Sequence, residues 1–191
     1  LGVDGVLVGT PYYRRPTQEG LYRHFHRVAG AASVPLLLYN VPSRTACDLL
    51  PETVVRLASH PQIIGIKEAT GSVERGAEIL RRCGDDFLLL SGDDATCREL
   101  IAAGAQGVIT VTGNVAPRLM HDMIEASLAG DQDAARELDE RLMGLHTALF
   151  VESNPIPVKW ALGRLGLIGR GIRLPLVELA DAHRDTVIAA L

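Results

Sequence analysis

Over the first 112 residues, short apolar runs alternate with amphipathic stretches. The runs lie at 5–8, 35–39, 63–67, 87–91 and 107–110 and are rich in leucine and β-branched residues. Runs that are apolar at nearly every position predict parallel strands covered on both faces. The stretches between them carry helical spacing. Leu21, Phe25 and Val28 fall on one face of a helix that opens near Thr17. Pro51 starts another, at a position where its missing N–H costs nothing. Residues 72–83 and 95–103 complete the set, and the whole reads as a series of βα units. After Thr112 the strands stop. Residues 117–129 predict a helix with Leu119, Met123 and Leu128 on its apolar side, ended by Gly130. Asp131 is placed to cap the next helix, in which Ala135, Leu138, Leu142, Leu145 and Leu149 recur and the charged residues form a solvated face. Two more helices are predicted at 155–165 and 174–190. The chain therefore divides into a βα body, 1–115, and a helical domain, 116–191. An open doubly wound sheet would use all five strands, whereas a (β/α)8 barrel needs three more and roughly 250 residues. The cadence alone does not separate the two.

Both folds place their sites at the carboxyl ends of the strands. Lys67 stands out there, because it closes the apolar run Ile63-Ile64-Gly65-Ile66, where lysine is depleted. A desolvated ammonium has a lowered pKa, and the free amine that results can attack a carbonyl carbon to form an imine. The ordinary alternative is a lysine that snorkels to water or pairs with Glu68. Tyr39 ends the second run, where a phenol can relay protons or simply cap the core. Arg44 follows in the same loop; its fork suits a substrate carboxylate or a surface ion pair. Tyr12 and Tyr13 are consecutive, so on a regular strand only one can face a given site.

Composition narrows the classes further. The chain has 191 residues, of which 47% are hydrophobic and 22% charged, with net charge -4. That is a globular composition without a basic field for nucleic acid or an anionic membrane. Cys47, Cys83 and Cys97 show no CxxC spacing, which predicts free thiols in a reducing, cytoplasmic compartment. No apolar run approaches the roughly 20 residues of a membrane helix. No HExxH, Walker or GxSxG pattern occurs, and the glycines at 163, 166, 169 and 171 follow no strand. Asp93-Asp94 reads as a helix cap rather than a metal site. The opening Leu1-Gly2-Val3-Asp4-Gly5-Val6 reads like the middle of a domain, so an amino-terminal truncation is expected.

Taken together, the strand-end strings resemble one family. Gly9-Thr10-Pro11-Tyr12-Tyr13-Arg14-Arg15-Pro16, Tyr39-Asn40-Val41-Pro42-Ser43-Arg44-Thr45, Gly65-Ile66-Lys67-Glu68-Ala69-Thr70-Gly71, Leu90-Ser91-Gly92-Asp93-Asp94 and Asn154-Pro155-Ile156-Pro157-Val158-Lys159 are similar, in order, to segments of the dihydrodipicolinate synthases. These are pyruvate-dependent class I aldolases. The resemblance implies a (β/α)8 barrel lacking about its first three strands, followed by the helical domain. It implies a Schiff base between pyruvate and Lys67, whose enamine adds to aspartate 4-semialdehyde to give 4-hydroxy-tetrahydrodipicolinate, in lysine biosynthesis. No cofactor is implied beyond that imine. Tyr39 becomes a proton relay and Arg44 the clamp on the semialdehyde carboxylate. Tyr13 would complete the relay in a neighbouring subunit, and Tyr12 would lie at the dimer interface near a lysine feedback site. The main chain at Gly92 and Ile109 would line the pyruvate pocket. A homotetramer, built as a dimer of dimers, is implied as well. The family's threonine pair for the pyruvate carboxylate has no match here, so this stretch alone is expected to be inactive. Competing expectations are a sister aldolase, of N-acetylneuraminate lyase or keto-deoxy-sugar-acid type, and an inactive truncated chain. Arg44 favours the synthase, because it suits a small acidic aldehyde.

Overall fold

The structure is a computed structural model and describes residues 2–191. The chain forms two compact units, Leu1–Ile109 and Thr110–Leu191. The first holds five strands: β1 (Val6–Gly9), β2 (Leu36–Asn40), β3 (Ile63–Glu68), β4 (Leu88–Ser91) and β5 (Gly107–Val108). All pair in parallel, and their order in the sheet is their order in sequence. A doubly wound sheet reverses direction once, at its switch point, whereas a barrel steps the same way at every connection. The unit is thus a five-strand portion of a (β/α)8 barrel.

Each connection carries a helix with readable ends. In α1 (Gln18–Ala31), Thr17 Oγ1 accepts from the Gly20 N–H at 3.2 Å, and Leu21, Phe25 and Ala29 are buried. A short α2 (Pro42–Thr45), which the hydrophobic pattern does not predict, interrupts the loop after β2. Next, α3 (Pro51–Ala58) opens on its proline and buries Val54 and Leu57. Ser72 Oγ accepts from the Arg75 N–H and caps α4 (Val73–Cys83). The last helix of the unit, α5 (Cys97–Ala102), starts two residues later than its pattern predicts, because residues 94–96 form a turn first. Leu36, Leu38, Ile66 and Leu89 are fully buried on one side of the sheet. Leu7, Ile64 and Leu88, elsewhere on the strands, are partly exposed. A register shift at Leu36/Leu37 leaves Ile64 as an extra residue in β3. A Cβ at Gly65 would run into the carbonyl oxygen of Leu88, so this glycine lets β3 and β4 approach closely.

The second unit packs α6 (Pro117–Leu128), α7 (Gln132–Ala148), α8 (Ile156–Arg164) and α9 (Asp181–Ala190) around Leu145, Leu149, Ile156, Val158, Leu179 and Val187. Asp131 caps α7 through the Ala134 N–H, as the pattern predicts. Three expectations are corrected. The buried face of α6 is Met120, Met123 and Ser127, while Leu128 is exposed; Ser127 can sit inside because its hydroxyl donates to the Met123 carbonyl at 2.8 Å. The polar residues of α7 are not all solvated: Asp139 and His146 are buried, with His146 Nε2 3.7 Å from Asp139 Oδ1 and Nδ1 2.8 Å from Thr112 Oγ1. Residues 174–180 are not helical. Pro175 biases Leu174 towards an extended backbone, and the segment runs on until Leu179 enters the core and the Ala180 N–H donates to Glu152. No helix among the described residues is long and apolar enough to cross a membrane.

Candidate active site

Register decides what meets at the strand ends. Gly9, Tyr39, Lys67 and Leu90 form one row across β1 to β4. Alternation turns the next row, Asn40, Glu68 and Ser91, to the opposite face. In the first row Tyr39 and Lys67 are half-buried, and the second row is polar yet completely buried.

In the first row, Lys67 Nζ lies 4.4 Å from the centroid of the Tyr39 ring. Burial pushes the Lys67 ammonium below its ordinary pKa. Asp94 pulls the other way and Arg44 adds to the lowering. Asp94 is itself buried, on the turn after β4. Burial pushes the Tyr39 phenol up, partly offset by Arg44, so it keeps its proton at neutral pH. A lysine inclined to release a proton therefore stands against a phenol that holds one. Gly92 makes room for the lysine: a Cβ there would stand 2.9 Å from Lys67 Cε and 2.5 Å from Ala69 Cβ. The Gly92 N–H is spent on the Glu68 carbonyl at 2.8 Å, and the Ile109 N–H on that of Ser91 at 2.9 Å.

Arg44 sits exposed in the last turn of α2 and forms no ion pair among the described residues. The loop beneath it is fixed by Thr45. Thr10 Oγ1 donates to Thr45 Oγ1 at 3.1 Å, and the Cys47 N–H donates to the same oxygen at 3.2 Å. Ala46 ends α2 in a left-handed conformation, φ 53°. The Tyr13 N–H donates to the Thr45 carbonyl, joining this loop to the one after β1. There the Arg14 N–H donates to the Tyr12 carbonyl across Tyr13, whose φ is 70°. That three-residue turn is rare and strained for a side-chain-bearing residue. Tyr12 and Tyr13 lie on this bend rather than on the strand, and both project into solvent, 77% and 82% exposed. Neither joins the Lys67–Tyr39 pair within this chain.

The second row ties down the loops. Asn40 donates to Glu68 Oε2 at 3.1 Å and to Asp48 Oδ1 at 3.0 Å, and accepts from the Leu49 N–H. Glu68 Oε1 accepts from the Thr70 N–H at 2.8 Å. Arg75, from α4, spans both carboxylates, with Nε 3.4 Å from Glu68 and two nitrogens on Asp48 at 2.7 and 3.1 Å. Ser91 donates to the Asp93 carbonyl and accepts from its N–H. The sequence reading missed this row and Asp94. Its signal was a polar residue one position past each member of the first row, in Tyr-Asn, Lys-Glu and Leu-Ser. Asp93, read as a cap, accepts from the Thr96 N–H and hydroxyl, and so holds the turn that precedes α5. No group of three or more metal-binding side chains occurs among the described residues.

Residues 1–191 match the profile of the dihydrodipicolinate synthetase family. The chain belongs to that family. It is 59% identical over 190 residues to the 4-hydroxy-tetrahydrodipicolinate synthase of Pseudomonas aeruginosa, covering 100% of this chain and 65% of that one. To the enzyme of that name from Methylococcus capsulatus it is 58% identical over 191 residues, covering 100% and 66%. Among solved structures, the chloride-inhibited dihydrodipicolinate synthase of Acinetobacter baumannii, complexed with pyruvate, superimposes with TM-score 0.97 at 49% identity over 99% of this chain and 65% of that one. The synthase of Cyanidioschyzon merolae with lysine bound gives 0.94 at 39%, over 99% and 64%. The chain thus spans about two thirds of the length of these dihydrodipicolinate synthetase family members, just under that fraction in each case.

Proposed function

We propose that the protein is a Schiff-base lyase that condenses pyruvate with L-aspartate 4-semialdehyde to give 4-hydroxy-tetrahydrodipicolinate in lysine biosynthesis. The observation that carries this reading is the half-buried Lys67 amine, 4.4 Å from the Tyr39 ring, in a family whose solved members include one complexed with pyruvate. The free amine of Lys67 adds to the ketone carbon of pyruvate, and loss of water leaves the imine. Removal of a methyl proton gives the enamine, whose carbon attacks the aldehyde carbon, and the aldehyde oxygen takes up a proton. The amino group of the added unit then displaces Lys67 from the imine carbon, closing the ring and restoring the amine. Tyr39, protonated at neutral pH, relays the protons of imine formation. Arg44, exposed and in no ion pair among the described residues, holds the carboxylate of the semialdehyde. The imine itself is the electron sink, so the reading needs no cofactor.

Tyr13, projecting on its strained turn, fits a role in a neighbouring subunit's relay. Tyr12 beside it fits a subunit interface near a lysine feedback site, and Gly92 and Ile109 fit the wall of the pyruvate pocket. The assembly we infer is a homotetramer made of two dimers. Among the described residues Cys47, Cys83 and Cys97 form no disulfide, which fits a reducing cytoplasmic setting.

The test is to incubate the purified protein with pyruvate and borohydride and to weigh its peptides. A reduced pyruvyl adduct on Lys67 is expected; an unmodified Lys67 peptide overturns the reading. Cleavage of sialic acid outrunning consumption of aspartate semialdehyde would transfer the chemistry to a sister aldolase.

A further inference from the structure

Glu68 is a charge without an obvious purpose. It follows the imine-forming lysine, its side chain is only 1% exposed, and it is held on the face of β3 opposite Lys67. A buried carboxylate on the residue next to the lysine would favour the ammonium and oppose the chemistry proposed for Lys67 if its charge were left uncompensated. Its surroundings cancel it. The Asn40 amide, the Thr70 N–H and Arg75 Nε all turn towards it. Arg75 is fixed in turn by Asp48 and by the Leu49 carbonyl at 2.6 Å. The network also binds the neighbouring strand ends together, since Asn40 and Glu68 are the register partners directly after Tyr39 and Lys67.

We propose that Arg75 and Glu68 are positioning residues for Lys67: their ion pair, together with Asn40, locks β3 to β2 behind the Lys67–Tyr39 contact and offsets the charge of the carboxylate that follows the lysine in sequence. This rests on the imine chemistry proposed above only for its catalytic consequence. The electrostatic part concerns the amine itself. The charged or titratable groups that act directly on that amine are Tyr39 on β2, Arg44 on the loop after it and Asp94 after β4. None of them belongs to the Glu68–Arg75 pair.

The test needs no substrate. Lys67 and Lys159 are the only lysines in the sequence. Competitive acylation followed across pH by peptide mass spectrometry therefore gives the Lys67 titration midpoint, with Lys159 as internal reference. In Arg75→Met the Lys67 midpoint is expected to rise by about one pH unit, and borohydride trapping of pyruvate near neutral pH to fall about tenfold. Arg75→Lys, which keeps the charge, should recover at least half of the shift. The double variant Glu68→Gln with Arg75→Met removes both charges and should return the midpoint to its wild-type place. Glu68→Gln alone leaves the Arg75 charge in place and should lower it. An unshifted midpoint in a folded Arg75→Met protein overturns the proposal, as does a double variant shifted as far as the single. If Arg75→Met does not fold, an unchanged midpoint in Glu68→Gln overturns it instead. Lys67 midpoints that shift across the variants as stated, with a wild-type protein that traps no pyruvate, would sink the proposed activity and leave the electrostatic pairing standing.

Discussion

Replacing Gly92 with alanine tests how closely the lysine is held. Gly92 does not use a positive φ, so alanine brings no backbone strain and its effect is steric. The added Cβ would stand 2.9 Å from Lys67 Cε and 2.5 Å from Ala69 Cβ. Carbon atoms settle at about 3.5–4.0 Å, so the end of the lysine has to move by about 0.6–1.1 Å, and Ala69 by about 1.0–1.5 Å. Ala69 carries its Cβ directly on the backbone and yields less readily than the lysine tip. Overpacking of this kind costs about 1–3 kcal/mol, which in a chain of this size lowers the melting temperature by about 2–12 °C. A displacement of about 1 Å in a reacting group costs about a hundredfold in rate. Single-turnover trapping of the pyruvate adduct measures the rate, and calorimetry measures the melting temperature. Both are expected to fall, the rate by about 30–100-fold. A rate within about threefold of wild type would refute the reasoning, whatever the melting temperature does. A lower melting temperature with an unchanged rate would show that Ala69 absorbs the clash and that the lysine has room to spare.

Four further outcomes follow from the structure. Lys67→Met should stabilise the protein near neutral pH. Burial lowers the native-state pKa of Lys67 below its ordinary 10.5, so its charged form weakens the fold below that native value and the penalty fades as pH rises towards 10.5. Urea unfolding at about pH 7 and about pH 10 checks this, and a gain that grows with pH contradicts the sign. Thr45→Val leaves the Thr10 hydroxyl and the Cys47 N–H short of a partner, so stability should drop by about 1–3 kcal/mol. Because Thr45 sets the loop beneath Arg44, that variant and Arg44→Ala should both raise the Michaelis constant for the semialdehyde far more than for pyruvate; equal rises would refute the carboxylate role. Phe25→Ala empties a fully buried site on α1 and should cost about 3–5 kcal/mol by denaturant unfolding.

Much of the barrel portion was legible because parallel strands and their helices advertise themselves through simple periodicity. All five strands lie within one residue of their apolar runs, except β5, which is two residues shorter at its end. Lys67 and Tyr39 were legible for the opposite reason, as residues that break an apolar pattern where it should continue. Burial of polar side chains was far less visible. Asp139 and His146 look like any charged positions on a helix, and only the fold buries them and brings His146 to Thr112. The segment 174–180 has helix-compatible residues around a single proline, and whether Leu179 enters the core is a tertiary question. Tyr12 and Tyr13 were read with strand alternation in mind, but the positive φ of Tyr13 removes both from the strand.

The register of the sheet joins these points into one argument. A strand that ends in a functional side chain must also end its ladder and start a loop, and one residue cannot do both. Here the tasks are split between successive positions. Tyr39 and Lys67 face the candidate site, while Asn40 and Glu68, one residue later, turn to the other side and hold the loop at 48–49, Thr70 and Arg75 of α4. Ser91 does the same for Asp93, immediately before the Asp94 that acts on the lysine. Past the end of β1, the Thr10 hydroxyl reaches the 45–47 loop. A frame of buried hydrogen bonds is costly to leave half made, so each loop has one well-satisfied position. The amine of Lys67 is thereby placed by groups that never touch it, and variants in the hidden row should change its titration before they change its contacts.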